Sequence, residues 1–255
     1  MKGIILYPAS NTTAMRFAQQ ELQKAGLRIV SSPAPDVTHF LLPVPSFEAD
    51  GRIRGGGILE HLLAKLPETV TVIGGNLDHP SLAGYRTIDL LKDPVYLTEN
   101  AAITADCALR VAGRRLQTVF HGCPVLIIGW GRIGKHLSML LKTLGADTTV
   151  AARKKADRAL LRSLGFHDAD PTKLEEVLPR FRIIFNTVPA PVLNEAQTRL
   201  CRLDCLKIEL ASRDGICGSN VIPARGLPGK EAPESAGKLI AETAYRLLLK
   251  KECAS

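Results

Sequence analysis

The 255-residue chain is poor in aromatic side chains, at 5%, with a single Trp. That leaves no stacking platform for nucleic-acid bases, and the Lys and Arg residues behind the net charge of +8 are dispersed rather than massed in one patch. No apolar run is long enough to span a bilayer. The start, Met1-Lys-Gly-Ile-Ile-Leu-Tyr-Pro8, lacks a signal-peptide apolar region and cleavage site. The expectation is a cytoplasmic chain with no nucleic-acid or membrane partner. Zinc spacing is missing too: Cys201 and Cys205 could share a helix face, but no His or Cys pair stands near them. No metal is expected, and the six cysteines read as reduced packing residues. There are no repeats and no low-complexity tracts. A moderate positive excess suits small phosphorylated or carboxylated molecules.

What is present is an alternation of strands and helices. It implies an α/β chain with two doubly wound parallel-sheet domains, the second a Rossmann dinucleotide-binding domain. Residues 1–96 read as a small flavodoxin-like domain. Its strands lie near Ile4–Tyr7, Leu27–Val30, Thr38–Leu42 and Val70–Ile73. Asn11 or Thr12 caps a helix that runs to Lys24, and Gly55–Gly57 opens another through Leu66. Residues 97–120 form a connecting helix capped by Thr98. Residues 121–232 are the dinucleotide domain. Residues 233–255 are a closing helix, apolar along Ala236, Leu239, Ile240, Thr243, Ala244 and Leu247, basic at Lys250-Lys251, and expected at the interdomain region.

The most informative stretch is Val125-Leu-Ile-Ile-Gly129-Trp130-Gly131-Arg132-Ile133-Gly134. A buried strand runs into G-x-G-x-x-G, and a helix follows. Gly129 permits the tight turn, Gly131 lets a pyrophosphate approach the backbone, and Gly134 lets helix and strand pack closely. The next strand ends Val150-Ala-Ala-Arg153-Lys154-Lys155. NAD sites usually carry an acid there for the ribose 2′-OH, whereas an Arg suits a 2′-phosphate. Arg153 therefore favours NADP, with NAD as the alternative; a solvated basic loop is the competing reading, for Lys154 and Lys155 above all.

Three further stretches are candidates. Asn186-Thr187-Val188-Pro189 ends a later strand and could meet the nicotinamide side; a plain polar turn is the competing reading. Ser212 and Arg213 end the next strand, where a guanidinium could clamp a substrate carboxylate or make an ordinary salt bridge. Asn100, Thr104 and Asp106 open the connecting helix. Asn100 and Thr104 share a face, and alone they read as ordinary helix residues.

Together with Asn186–Asn194, Glu209–Gly215, Gly226–Gly237 and Asn100–Asp106, the glycine turn and Arg153 resemble the family of dipicolinate synthase A-subunits. The likeness is good over 95–250 and thin before it, where the general order and Leu41-Leu-Pro-Val-Pro45 match. More broadly, the second domain is similar to the cofactor domain of D-isomer 2-hydroxyacid dehydrogenases. The resemblance implies an enzyme of spore formation that oxidises dihydrodipicolinate with a nicotinamide coenzyme, beside a flavoprotein-like second subunit. It implies catalytic roles for Arg213 and Asp106, and substrate contacts from Asn100, Thr104 and Ser212. It places Gly129, Trp130, Gly131, Arg132, Ile133, Gly134, Arg153, Lys154, Asn186, Thr187, Val188 and Pro189 around the coenzyme. The alternatives are a 2-keto or 2-hydroxy acid reductase and a non-catalytic NADP(H)-binding subunit. One departure stands out: the stretch Gly226-Leu-Pro-Gly229 lacks the histidine that the dehydrogenases place before the last helix. A homodimer is expected.

Overall fold

The computed structural model describes residues 3–252; Cys253 and the side chains of Lys250 and Lys251 lie outside the described residues. Two compact units form. Residues 1–100 join 228–255 in the first, and 101–227 make the second.

In the first unit, β1 (Ile5–Pro8), β2 (Arg28–Ile29), β3 (His39–Leu41), β4 (Thr71–Gly74) and β5 (Arg86–Asp89) form a parallel sheet ordered β2-β1-β3-β4-β5. This is a doubly wound order. Helix α1 (Thr13–Lys24) is capped by the Thr12 hydroxyl, which accepts from Met15 N–H, and Gly26 ends it at φ +87°. The helix expected through Leu66 is a short α2 (Leu59–Leu63). Tyr7, Phe40, Leu42, Ile53, Leu59 and Val72 fill the core.

Helix α3 (Pro94–Gly113) starts earlier and stops sooner than the sequence pattern suggests. Asp93 is the cap, accepting from Tyr96 N–H at 2.8 Å, and Pro94 occupies the first helical position, where its missing N–H costs nothing. Thr98 lies inside the helix and donates to Pro94 O at 2.9 Å.

The second unit holds β6 (Pro124–Ile128), α4 (Arg132–Thr143), β7 (Asp147–Ala151), α5 (Lys155–Ser163), β8 (His167–Ala169), β9 (Ile183–Asn186), α6 (Glu195–Arg199), β10 (Leu206–Glu209) and β11 (Val221–Pro223). All strands are parallel in the order β11-β10-β9-β6-β7-β8. That is the Rossmann order, reversing between β6 and β9. Strands buried on both faces explain the continuous apolar runs.

After α7 (Leu227–Glu231), the closing helix α8 (Pro233–Glu252) packs along α1 within the first unit. The fit is close. A Cβ at Gly237 would collide with the Ala14 carbonyl and lie 2.6 Å from Phe17 Cβ. Arg246 of α8 adds a bidentate pair to Asp93, at 2.7 and 3.2 Å.

Candidate functional site

Every strand of the second unit ends on the same edge of the sheet, so four turns gather there. The first follows β6. Gly129 has φ +111°, and a Cβ on it would collide with the Thr187 hydroxyl. A Cβ on Gly134 would collide with the Gly129 carbonyl oxygen, whereas one on Gly131 meets nothing within 4 Å. Each glycine thus has a separate reason to lack a side chain, and the open one lies where a pyrophosphate needs room.

The first helical bond of α4 at this turn runs from Lys135 N–H to Gly131 O at 2.9 Å. The N–H groups ahead of it have no acceptor within the helix, and a 12-residue helix aims its positive end at them. Trp130 folds its indole edge-on to Phe166, with centroids 6.3 Å apart, so it contributes main chain to the turn. Arg132 is exposed and Ile133 half-buried.

The turn after β7 sorts its basic residues. Arg158 is a structural residue. It donates to the Ala152 and Arg153 carbonyls at 2.9 and 3.1 Å and pairs with Asp170 at 2.9 Å. Arg153 is exposed and makes no hydrogen bond or ion pair through its side chain among the described residues. The acids nearby are engaged: Thr172 and then Arg158 hold the Asp170 carboxyl below its ordinary range, and Arg162 pairs with Asp168 at 2.9 Å. Lys154 caps α5 and is exposed. A 2′-phosphate would find a free guanidinium here.

The turn after β9 corrects one expectation. Asn186 is fully buried, and its amide is already engaged. It donates to Glu209 Oε1 at 2.8 Å and to Val188 O at 3.0 Å, and it accepts from Val188 N–H at 2.9 Å. No donor is left for a coenzyme, so it is a positioning residue. Thr187 donates to Ile128 O at 3.0 Å, which ties the β9 turn to the end of β6. Val188 is half-buried and Pro189 exposed beside it.

The turn after β10 is built on a residue that the sequence marks only as strand. Glu209 is 1% exposed. Its Oε1 accepts from Asn186 and from Ala211 N–H at 3.1 Å; its Oε2 accepts from Gly215 and Ile216 N–H at 2.9 and 3.1 Å. Four donors around one buried carboxylate shape the loop 211–216. Arg225 braces its outer side, donating to Ala211 O at 3.0 Å and pairing with Asp214 at 2.6 Å. Ser212 and Arg213 project from this clamped loop, both exposed, and Arg213 has no ion pair among the described residues. An acid inside an apolar parallel strand is a signal that could have revealed Glu209, since such a group is buried only with partners.

Of the α3 candidates, Asn100 and Thr104 lie four residues apart on one face and Asp106 does not share it. Thr104 is buried and Asn100 half-buried. Asp106, expected to act in catalysis, is exposed and pairs with Arg110 at 2.8 Å. Two residues along a helix is about 200° of rotation, which turns Asp106 away from the Thr104 face. Among the second unit's histidines, His121 precedes β6, and His167 opens β8 and sits 3.4 Å from Asp147, so these two are at the other edge of the sheet, whereas His136 lies in α4.

Residues 102–206 match the family model described as "D-isomer specific 2-hydroxyacid dehydrogenase, NAD binding domain". The A-subunit of dipicolinate synthase from Bacillus subtilis (strain 168) is 29% identical over 157 residues, which are 58% of this chain and 53% of that protein. The match therefore spans about half the relative's length. The crystal structure of the same A-subunit from Bacillus subtilis superposes with TM-score 0.84 at 20% identity, covering 100% of this chain and 99% of that one. The structure of its Bacillus halodurans counterpart gives 0.83 at 20% identity, covering 96% and 98%. The fold is shared, and the second unit contains a nicotinamide-dinucleotide-binding domain. Among the described residues, no helix is long and apolar enough to cross a membrane and no cluster of three or more metal-ligating side chains occurs.

Proposed function

We propose that the chain is an NADP-dependent oxidoreductase that oxidises dihydrodipicolinate to dipicolinate, in the cytoplasm and together with a second subunit. The observation that carries this reading is the gathering of a dinucleotide turn, a free Arg153 and a free Arg213 on one sheet edge. The relative's name supplies the substrate.

The glycine turn and the N–H groups of α4 would hold the pyrophosphate, and Arg153 the 2′-phosphate. A bound nicotinamide coenzyme supplies the hydride acceptor. Arg213 binds a carboxylate of the cyclic substrate and draws electron density from the ring. Glu209 and Arg225 keep its loop from collapsing, so Arg213 is aimed before substrate arrives. Aromatising a dihydropyridine releases a comparatively acidic ring proton, which lowers the need for a dedicated base. The absence of a histidine from Gly226-Leu-Pro-Gly229 fits that chemistry and disfavours a lactate-type reductase.

The same missing histidine favours a second reading, a subunit that binds NADP(H) without turnover of its own. Purified protein with NADP+ and freshly made dihydrodipicolinate separates the two. Absorbance should rise at the reduced-nicotinamide band. No rise, with or without the second subunit, leaves the non-catalytic reading. Homodimerisation is part of the proposal and is read by light scattering.

A further inference from the structure

The start of β10 carries a cation that the fold leaves without a counter-charge. Lys207 is in register with Ile184 of β9 and Val221 of β11, so its stem shares a sheet face with those two apolar side chains. It is only 5% exposed and makes no hydrogen bond or ion pair among the described residues. Glu209, two residues on, points to the same face, but its carboxylate is saturated by its four N–H donors. A buried ammonium without a counter-ion is costly.

A pocket of about 220 Å³ reaches this lysine from the edge of the sheet opposite the coenzyme turns. Lys207 is part of its lining, and the unpartnered nitrogen is not sealed from solvent. The other cations of the lining are already neutralised: Arg199 pairs with Glu195 at 2.9 Å and Arg202 with Asp204 at 2.8 Å. Ser219 and Asn220 also line the pocket, and neither side chain is hydrogen-bonded among the described residues. Their loop is bent by two left-handed residues, Gly218 at φ +116° and Asn220 at φ +61°. Leu203, fully exposed, adds carbon surface to the lining.

We propose that this pocket binds small organic carboxylates, the head group standing as the counter-ion that Lys207 lacks. One free positive charge calls for one negative charge. A monocarboxylate brings that and no more, whereas a phosphate dianion would need a second free cation. The ammonium offers three N–H donors to the carboxylate oxygens, and the Ser219 hydroxyl and Asn220 amide offer others. A short carbon chain would lie against Leu203. A volume below the roughly 300–1,000 Å³ of drug-sized sites limits that chain to a few atoms. The site is separate from the glycine turn and from Arg213, which lie where the strands end.

The test titrates the unaltered, full-length chain with sodium butyrate at constant ionic strength and follows its backbone amide resonances. The amides of Lys207, Ser219 and Asn220 should shift and saturate, while those of Gly131 and Arg213 stay in place. Butyramide, which has the same shape without the charge, should leave all of them unmoved, and inorganic phosphate should move them less than butyrate does. Lys207→Met should weaken butyrate binding at least about tenfold, the loss expected with a charge-assisted contact. No saturable shift with butyrate would overturn the proposal. So would an equal response to butyramide or to phosphate. These results come from the unaltered chain, so they stand even if the Lys207 variant does not fold.

Discussion

Asn186 and Glu209 are locked together across adjacent strands, amide to carboxylate at 2.8 Å, with both side chains buried. Glu209→Gln tests what the carboxylate does. The new amide would turn N–H toward the main-chain donors it must accept. The variant should lose about 2–4 kcal/mol of stability, as expected when a buried charge network is broken. The amides of Ala211, Gly215 and Ile216 should exchange faster with deuterium. Unchanged exchange there would show that the loop holds itself.

The glycines separate space from conformation. Gly131→Ala should fold normally, because its added methyl meets nothing, yet bind coenzyme at least tenfold more weakly. Gly134→Ala should lose stability as well, since its methyl collides with the Gly129 carbonyl. Thermal unfolding and coenzyme titration, run on both variants, should give opposite patterns.

Arg153→Asp should weaken NADPH binding by about 10–100-fold, the worth of a charge-assisted phosphate contact, and change NADH binding much less. Calorimetric titration of each coenzyme reads this directly. Equal losses for both would remove Arg153 from the 2′-phosphate.

Arg213→Ala should raise the substrate KM about 100-fold while coenzyme affinity holds, because the loop is shaped by Glu209 rather than by Arg213. Arg213→Lys should recover only part of that, having lost the fork. Steady-state kinetics with separate coenzyme titration checks both.

Asp93 makes stability depend on pH. Arg246, chiefly by hydrogen bonding, holds its carboxyl below the ordinary range. The group therefore adds stability above its unfolded value, near 3.9, and loses it as pH falls through the lower folded value. Asp93→Asn should cost about 1–3 kcal/mol at neutral pH, because it weakens both the pair and the α3 cap. The gap to the parent should close below about pH 4, where the parent's carboxylate also takes a proton. Urea unfolding across pH measures it.

Most of the fold is legible in the sequence because buried parallel strands and amphipathic helices leave strong periodic marks. β6, the glycine turn, α4 and β7 fall where the pattern puts them. β5 and β8 do not show: they are short edge strands, Arg86–Asp89 and His167–Ala169, with too few apolar residues to mark them. The start of α3 is misleading because Thr98 resembles a cap and Asp93-Pro94 resembles a break; Pro at the first helical position is both. Within the site, spacing announces the glycines. It cannot tell which Arg is free, Arg153 or Arg158, because that depends on carboxylates from another strand. Asn186 looks like a ligand contact for the same reason, its partner Glu209 being 23 residues away.

The first unit is stitched from two segments far apart in the polypeptide, α1 being covered by α8. During synthesis the coenzyme-binding half, continuous over 101–227, can therefore mature while its elder neighbour still waits for a lid. Truncation before α8 would uncover α1 along Ala14, Phe17 and Ala18, where Gly237 packs, so the damage would surface in a unit whose sheet was made long before the missing piece.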